Sequence, residues 1–232
     1  METEAKMSKY LVCAYREWNL KMFAEKLQTS NFDFVLISDK NLLTLAELER
    51  LNPTMIFFLD WSWIIDKEIT DNFMCVGFHS ASLPQFRGGS PIQNQIVRGI
   101  KNTKLSAFKM DGGIDTGDIL LQEDISLEGH IDDIMKRICK LSYGMILSIV
   151  AGNYVARPQS GESSYFSRRK PNESEMNFES FNQTLENIYD FIRMLEYPYP
   201  NAFLVIGDKK IIFKRAEKDN DKIKAEIEIV GK

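Results

Sequence analysis

The sequence predicts an α/β protein: a mostly parallel, Rossmann-like sheet flanked by helices, with a small helix-plus-strand subdomain after it. Three observations carry that reading. Strand-like apolar runs alternate with segments of helical spacing from residue 9 to residue 59, a β-α-β-α-β order that builds parallel sheets. The third of those runs, Met55-Ile56-Phe57-Phe58-Leu59, is apolar without interruption, as expected of a strand covered on both faces. Beyond residue 150 the texture turns polar, and a helix and alternating strands follow. A chain of 232 residues can bury a sizeable core. We expect a main domain over residues 8–150, a small subdomain over 151–232 and a disordered tail over 1–7.

The elements follow in order. Residues 9–15 form a first buried strand, and no Gly-x-Gly-x-x-Gly comes after it, so the dinucleotide fingerprint is missing. Leu20, Phe23, Ala24 and Leu27 fall at helical spacing. A strand over 32–38, a helix over 42–51 and the strand over 55–59 come next. Two tryptophans and two isoleucines in Asp60-Trp61-Ser62-Trp63-Ile64-Ile65 could line a pocket for a flat heterocycle. A short helix over 66–72 precedes a strand over 74–78. Ser90-Pro91 is a helix start, with serine as cap and proline at the first position. Strands over 105–110 and 119–124 lead to a helix over 131–150 whose apolar face, Ile131, Ile134, Met135, Ile138, Leu141, Met145 and Ile149, packs on the sheet. A helix over 178–195 and strands over 202–206, 210–216 and 223–230 complete the chain, the first two strands joined at Gly207-Asp208.

Bulk properties narrow the function. Composition is that of an ordinary globular protein, 44% hydrophobic and 27% charged. A net charge of −4 argues against a broad nucleic-acid surface, so no nucleic-acid partner is expected. The apolar runs fall short of a membrane span and the N-terminus lacks a signal region, which points to a cytoplasmic protein without a membrane partner. Cys13, Cys75 and Cys139 are isolated and read as reduced, buried thiols. With two separated histidines and no cysteine pair, no metal is expected.

The chemistry concentrates in residues 74–118. His79 ends the apolar run Cys75-Val76-Gly77-Phe78, where open α/β sheets place their sites. Asp115 follows a glycine pair between two further strand-like runs. A histidine and an aspartate at the mouths of two strands could meet, the carboxylate orienting the ring and stabilising its protonated form. Taken singly, the histidine could be structural and the aspartate a turn former.

The whole string resembles the signature of the folate-dependent formyltransferase family: Asn-x-His, a Ser-Leu-Leu-Pro-like loop, Arg-Gly, then Leu-Asp-Thr-Gly-Asp. Here those blocks read Gly77-Phe78-His79, Ala81-Ser82-Leu83-Pro84, Arg87-Gly88 and Ile114-Asp115-Thr116-Gly117-Asp118. The resemblance implies a formyltransferase fold, with His79 and Asp115 as catalytic residues and 10-formyltetrahydrofolate as co-substrate. It implies folate contacts from Trp63, Ile64, Ile65, Ala81, Ser82, Leu83, Pro84, Gly113, Ile114 and Asp118. On the acceptor side it points to Tyr165, Arg168, Arg169 and Lys170, and the loop after His79 with the helix that follows adds Phe86, Arg87, Gly88, Gln93 and Asn94 as candidates, Arg87 either holding an anionic group or pinning the loop to an acid. One position departs: Gly77 stands where the family has asparagine, so another donor, with Gln93 and Asn94 as candidates, must substitute, or activity is weakened or lost.

A core, a small C-terminal module and the cationic run Arg168-Arg169-Lys170 are similar to nucleotide-linked amino-sugar N-formyltransferases. The expected acceptor is therefore the amine of a nucleotide-linked amino-deoxysugar, in surface polysaccharide (lipopolysaccharide, O-antigen) synthesis. The alternatives are methionyl-tRNA or glycinamide ribonucleotide as acceptor, or a catalytically impaired binding protein. Apolar strands near the C-terminus could pair between chains to give a homodimer.

Overall fold

The computed structural model describes residues 8–231, so the expected tail over 1–7 lies outside the described residues. In chain order the elements are β1 (Lys9–Cys13), α1 (Glu17–Met22), β2 (Asp33–Ile37), α2 (Leu45–Leu51), β3 (Met55–Phe58), α3 (Lys67–Asn72) and β4 (Cys75–His79). Then come β5 (Arg87–Gly88), α4 (Pro91–Ile96), β6 (Asn102–Lys109), β7 (Ile119–Ser126), α5 (Ile131–Val150) and β8 (Tyr165–Phe166). β9 (Glu175–Met176), α6 (Leu185–Arg193), β10 (Phe203–Ile206), β11 (Lys209–Asp219) and β12 (Lys222–Gly231) complete the chain.

The chain divides into two compact units. Met1–Arg87, Lys104–Asp124 and Arg137–Ser164 make the first; Gly88–Thr103, Ile125–Lys136 and Tyr165–Lys232 make the second. This partition differs from the sequential one expected at residue 150. The long elements are the reason: β6, β7 and α5 each have residues in both units.

The first unit is built on a six-stranded sheet of order β2-β1-β3-β4-β6-β7. The β2-β1, β1-β3 and β3-β4 pairs are parallel, and β6 runs antiparallel to β4. Leu11, Cys13, Ile56, Phe58 and Cys75 of the strands pack with Leu48 of α2 and Ile69 of α3, all buried. α2 starts because the Thr44 hydroxyl accepts from the Glu47 amide at 3.3 Å, and ends at Asn52 in the left-handed region, φ 47°. On the unit's part of α5, the Tyr143 hydroxyl donates to the Asn19 carbonyl at 2.7 Å. All three cysteines are buried and free. Burial pushes the Cys75 and Cys139 thiols up to about 12, which keeps them protonated and inert.

The second unit contains a four-stranded sheet of order β12-β11-β10-β9, with β11 antiparallel to both neighbours and β10 parallel to β9. α6 is shorter than its periodicity predicts. Phe178–Asn182 forms a 3₁₀ turn, and the helix proper begins after Thr184, whose side chain accepts from the Asn187 amide. Ser90 does not cap α4 as expected. It lies in the left-handed region at φ 52°, and its hydroxyl accepts from the Arg169 amide at 3.1 Å instead.

A buried ion pair anchors α6. Arg193 Nε donates to Asp190 Oδ1 at 2.6 Å, and its Nη1 donates to the Leu127 and Gly129 carbonyls, each at 2.7 Å. Burial outweighs the neighbouring guanidinium and raises the Asp190 pKa. Removing the cation would leave a buried acid and two carbonyls without a donor. Arg193→Leu is expected to cost about 3–5 kcal/mol, read from the urea midpoint. A loss under about 1 kcal/mol would show that the pair does not hold the unit together.

Candidate active site

The site grows from the carboxyl end of β4. Register sets His79 opposite Ser106 and Gly77 opposite Phe108 on β6. The His79 side chain is only 7% exposed. Its Nε2 lies 2.7 Å from the Phe86 carbonyl. A carbonyl only accepts, so Nε2 carries the proton and the neutral ring keeps its lone pair on Nδ1. That carbonyl is aimed by the turn around it: Phe86 sits at φ 56°, and its amide donates to the Ser164 hydroxyl at 2.8 Å. Asp115 Oδ2 lies 3.4 Å from Nδ1, an ion-pair distance once the ring is protonated. The free-base nitrogen of His79 therefore faces a carboxylate.

Asp115 is held by its loop. The Asp111 carboxylate accepts from the Gly113 amide at 2.8 Å and from the Thr116 hydroxyl at 2.6 Å. Asp115 itself takes φ 53°, a region that aspartate and asparagine tolerate better than most residues. A Cβ at Gly117 would overlap the Lys109 carbonyl, so that position requires glycine. Gln159 ties the loop down: its Nε2 donates to the Asp115 and Gly117 carbonyls, each at 2.8 Å. Its Oε1 accepts from Arg87 Nη2 at 2.7 Å. Arg87 thus braces the Asp115 loop through Gln159, a residue that the sequence reading did not single out.

A cavity of about 320 Å³ opens beside this pair. Asp115, Gly113 and Ile114 line it on one side and Trp61, Trp63, Ile64 and Ile65 on another. The aromatic wall is continuous, with Trp61 and Trp63 centroids 4.9 Å apart and Tyr15 4.5 Å from Trp63. Trp61 Nε1 is buried and has no acceptor among the described residues. Gly77 also lines the cavity, and a Cβ there would stand 2.8 Å from Phe108 Cζ. The ring of Phe108 fills the space a larger residue at 77 would need.

Of the expected folate contacts, Trp63, Ile64, Ile65, Gly113 and Ile114 line this cavity. Ala81, Ser82, Leu83 and Pro84 do not. The Ala81 carbonyl accepts from Ser106 at 2.7 Å, and Leu83 packs in the core with Phe108 and Ile119. Asp118 is exposed and stands outside the wall. The remaining acceptor-side residues, Gly88, Gln93, Asn94, Tyr165, Arg168, Arg169 and Lys170, belong to the second unit. There the Gln93 amide donates to the Met194 carbonyl at 3.3 Å and the Asn94 amide to the Gly89 carbonyl at 3.0 Å. Both proposed stand-ins for the missing asparagine are thus committed within their own unit. Trp61 lines the cavity as its place in the post-strand loop suggested, while Phe58, Phe78, Phe108 and Met110 are cavity residues that the sequence reading did not assign to a site, and their signal was their place near strand ends.

Comparison with known proteins matches residues 25–150, more than half of the chain, to the sequence family described as formyl transferase. The chain belongs to the formyl transferase family. Residues 171–230 match the C-terminal domain of methionyl-tRNA formyltransferase. The structure of methionyl-tRNA formyltransferase from Clostridium thermocellum superposes with a TM-score of 0.92 at 42% identity, covering 97% of this chain and 100% of that one. A methionyl-tRNA formyltransferase of Thermodesulfovibrio yellowstonii is 27% identical over 83% of this chain and 60% of its own length. The chain thus spans about three fifths of the length of these methionyl-tRNA formyltransferases. A sugar N-formyltransferase from a Shewanella species shares the fold, at TM-score 0.70 and 17% identity, over 93% of this chain and 99% of that one.

These findings overturn the expected acceptor. The nucleotide-linked amino sugar, and with it a place in surface-polysaccharide synthesis, rested on a small C-terminal module and three adjacent cations. That module matches the methionyl-tRNA formyltransferase C-terminal domain, and the 42% identical structure bears that enzyme's name. The expected absence of a nucleic-acid partner falls too. It was drawn from net charge, a sum over the whole chain that is blind to where cations cluster. Among the described residues no helix is long and apolar enough to cross a membrane, and no cluster of ligating side chains could hold a metal ion.

Proposed function

We propose that this protein transfers a formyl group to the α-amine of methionyl-tRNA, with 10-formyltetrahydrofolate as donor. The observation that carries the proposal is the His79–Asp115 pair set beside an aromatic cavity, in a chain 42% identical to a structure named for that activity. The cavity fits the donor's ring system: tryptophan and isoleucine walls suit a flat heterocycle, and the orphaned Trp61 Nε1 is a donor awaiting an acceptor. When bound, 10-formyltetrahydrofolate supplies the formyl carbon, which exchanges its bond to the donor nitrogen for one to the acceptor amine.

The chain's part is proton handling and placement. The Phe86 carbonyl holds the tautomer in which His79 Nδ1 bears a lone pair, so Nδ1 takes a proton from the attacking amine. Asp115 stabilises the resulting imidazolium from 3.4 Å. His79 then returns the proton to the departing nitrogen, which leaves the ring neutral and the balance closed. Arg87 and Gln159 keep the aspartate loop in place through this cycle.

The test is direct. Incubation with 10-formyltetrahydrofolate and methionyl-tRNA should release tetrahydrofolate and yield formylmethionine on RNA hydrolysis, while uncharged tRNA gives neither. Release of no tetrahydrofolate with charged tRNA, from protein that is folded and binds folate, would remove the proposed acceptor.

A further inference from the structure

β12 is a ten-residue strand at one end of the second unit's sheet. One of its edges pairs with β11 along its whole length, from Lys222 to Gly231. Among the described residues no backbone hydrogen bond reaches the other edge. Its apolar side chains stand half open: Ile227 and Ile229, opposite Phe213 and Ile211 of β11, are 48% and 60% exposed. A long edge strand with exposed isoleucines is a template for another strand, and monomers blunt such edges with lysines, proline or a covering element. Here lysines are present, but they are sorted to one end and matched by acids at the other.

Residues 222–228 read Lys-Ile-Lys-Ala-Glu-Ile-Glu. Reversed, with each charge inverted, the string is unchanged. Side chains alternate along a strand, so the two lysines and two glutamates share one face, and Ile223, Ala225 and Ile227 the other. The inner charges, Lys224 and Glu226, have no ion-pair partner among the described residues. The outer ones have weak partners, Glu228 with Lys214 at 2.6 Å and Lys222 with Asp219 at 3.8 Å, both exposed pairs of small worth.

We infer that β12 is a dimerisation edge that takes β12 of a second copy of this chain, antiparallel about a two-fold axis at Ala225. In that register Lys222 faces the partner's Glu228, Lys224 the partner's Glu226 and Ile223 the partner's Ile227, and the axis repeats each contact. Other registers are disfavoured. A slip of one residue sets isoleucine against charge. A slip of two sets Lys224 against Lys224, or Glu226 against Glu226, and an in-register parallel pairing sets like against like throughout. The joined sheet would end at β9 in both copies, a two-residue strand too short to recruit a third chain, so association stops at two. This gives the strand pairing expected near the C-terminus a register, and it requires nothing of the proposed acceptor.

Sedimentation equilibrium of the full chain, loaded from micromolar to near-millimolar at low and high potassium chloride, tests it. The samples are the parent, Lys224→Glu, Glu226→Lys, an equimolar mixture of those two variants, and the double reversal Lys224→Glu/Glu226→Lys. Both positions are exposed, so the fold tolerates each change. The parent should show a monomer–dimer equilibrium that weakens with salt. Each single reversal sets like charges opposite each other twice per interface and should raise the dimer dissociation constant about tenfold or more. The mixture should regain parent-like association, because one chain then presents acids at both positions and the other lysines. The double reversal should regain it within one chain. A parent that stays monomeric throughout would overturn the inference. Single reversals that associate as the parent does would overturn it as well, by placing any dimer elsewhere. Weakened single variants that neither the mixture nor the double reversal rescues would overturn the register, and with it the inference.

Discussion

Asparagine at position 79 is expected to lower kcat for formyl transfer by about 10²–10⁴-fold, the usual worth of a placed general base. The fold should survive, because asparagine is polar and smaller than the ring it replaces; its amide reaches only to where Nδ1 stood, so the bond to the Phe86 carbonyl is lost at a cost of about 1 kcal/mol. What it cannot do is accept and return a proton. Asp115→Asn is the matched control. Asparagine tolerates the φ of 53° at this position, so that substitution removes charge without straining the loop. It should slow turnover less than loss of the ring and leave the melting temperature within a few degrees. Single-turnover rates with methionyl-tRNA decide the matter. An His79→Asn protein that turns over at the parent rate would remove His79 from the chemistry.

The second large effect is structural first and chemical second. Gly77→Asn alone should destabilise the protein by about 1–3 kcal/mol, because the new Cβ would lie 2.8 and 2.9 Å from two carbons of the Phe108 ring. Adding Phe108→Leu should restore most of that loss by clearing the space. The pair of substitutions would then place an amide on the cavity wall that Gly77 now lines. Removing one donor to a developing oxyanion costs about 10²–10³ in rate in other enzymes. If this site lacks such a donor, kcat in the double variant should rise. Denaturant midpoints and kcat are the readouts. A single variant as stable as its parent would show that the ring does not hold that space.

Much of this was legible before any coordinates. Each principal strand and helix follows from a run of apolar residues with period two or 3.6, and His79 and Asp115 could be paired because both stand at strand mouths. Other features were hidden for physical reasons. Gln159 reaches residues 44 and 72 positions away from inside a polar segment, so no local pattern marks it. The exchange of Gly77 against Phe108 appears only once register sets them opposite each other on β4 and β6. Arg98 looks like any solvated cation at a helix end until Phe166, far along the chain, is stacked beneath it. The acceptor was misread because segment length and total charge stood in for shape and charge placement.

The interleaving of the two units has a practical consequence. The chain passes from one to the other at residues 87/88, 103/104, 124/125, 136/137 and 164/165. No single cut releases either unit whole. A fragment ending at residue 150 would lose part of the first unit, including Gln159 and Ser164, and keep two pieces of the second without the strands they fold with. The second unit is thus no cassette: it cannot be deleted, grafted or exchanged by one splice. Changes of acceptor in such a scaffold are open to point substitutions in its grooves and largely closed to module swapping.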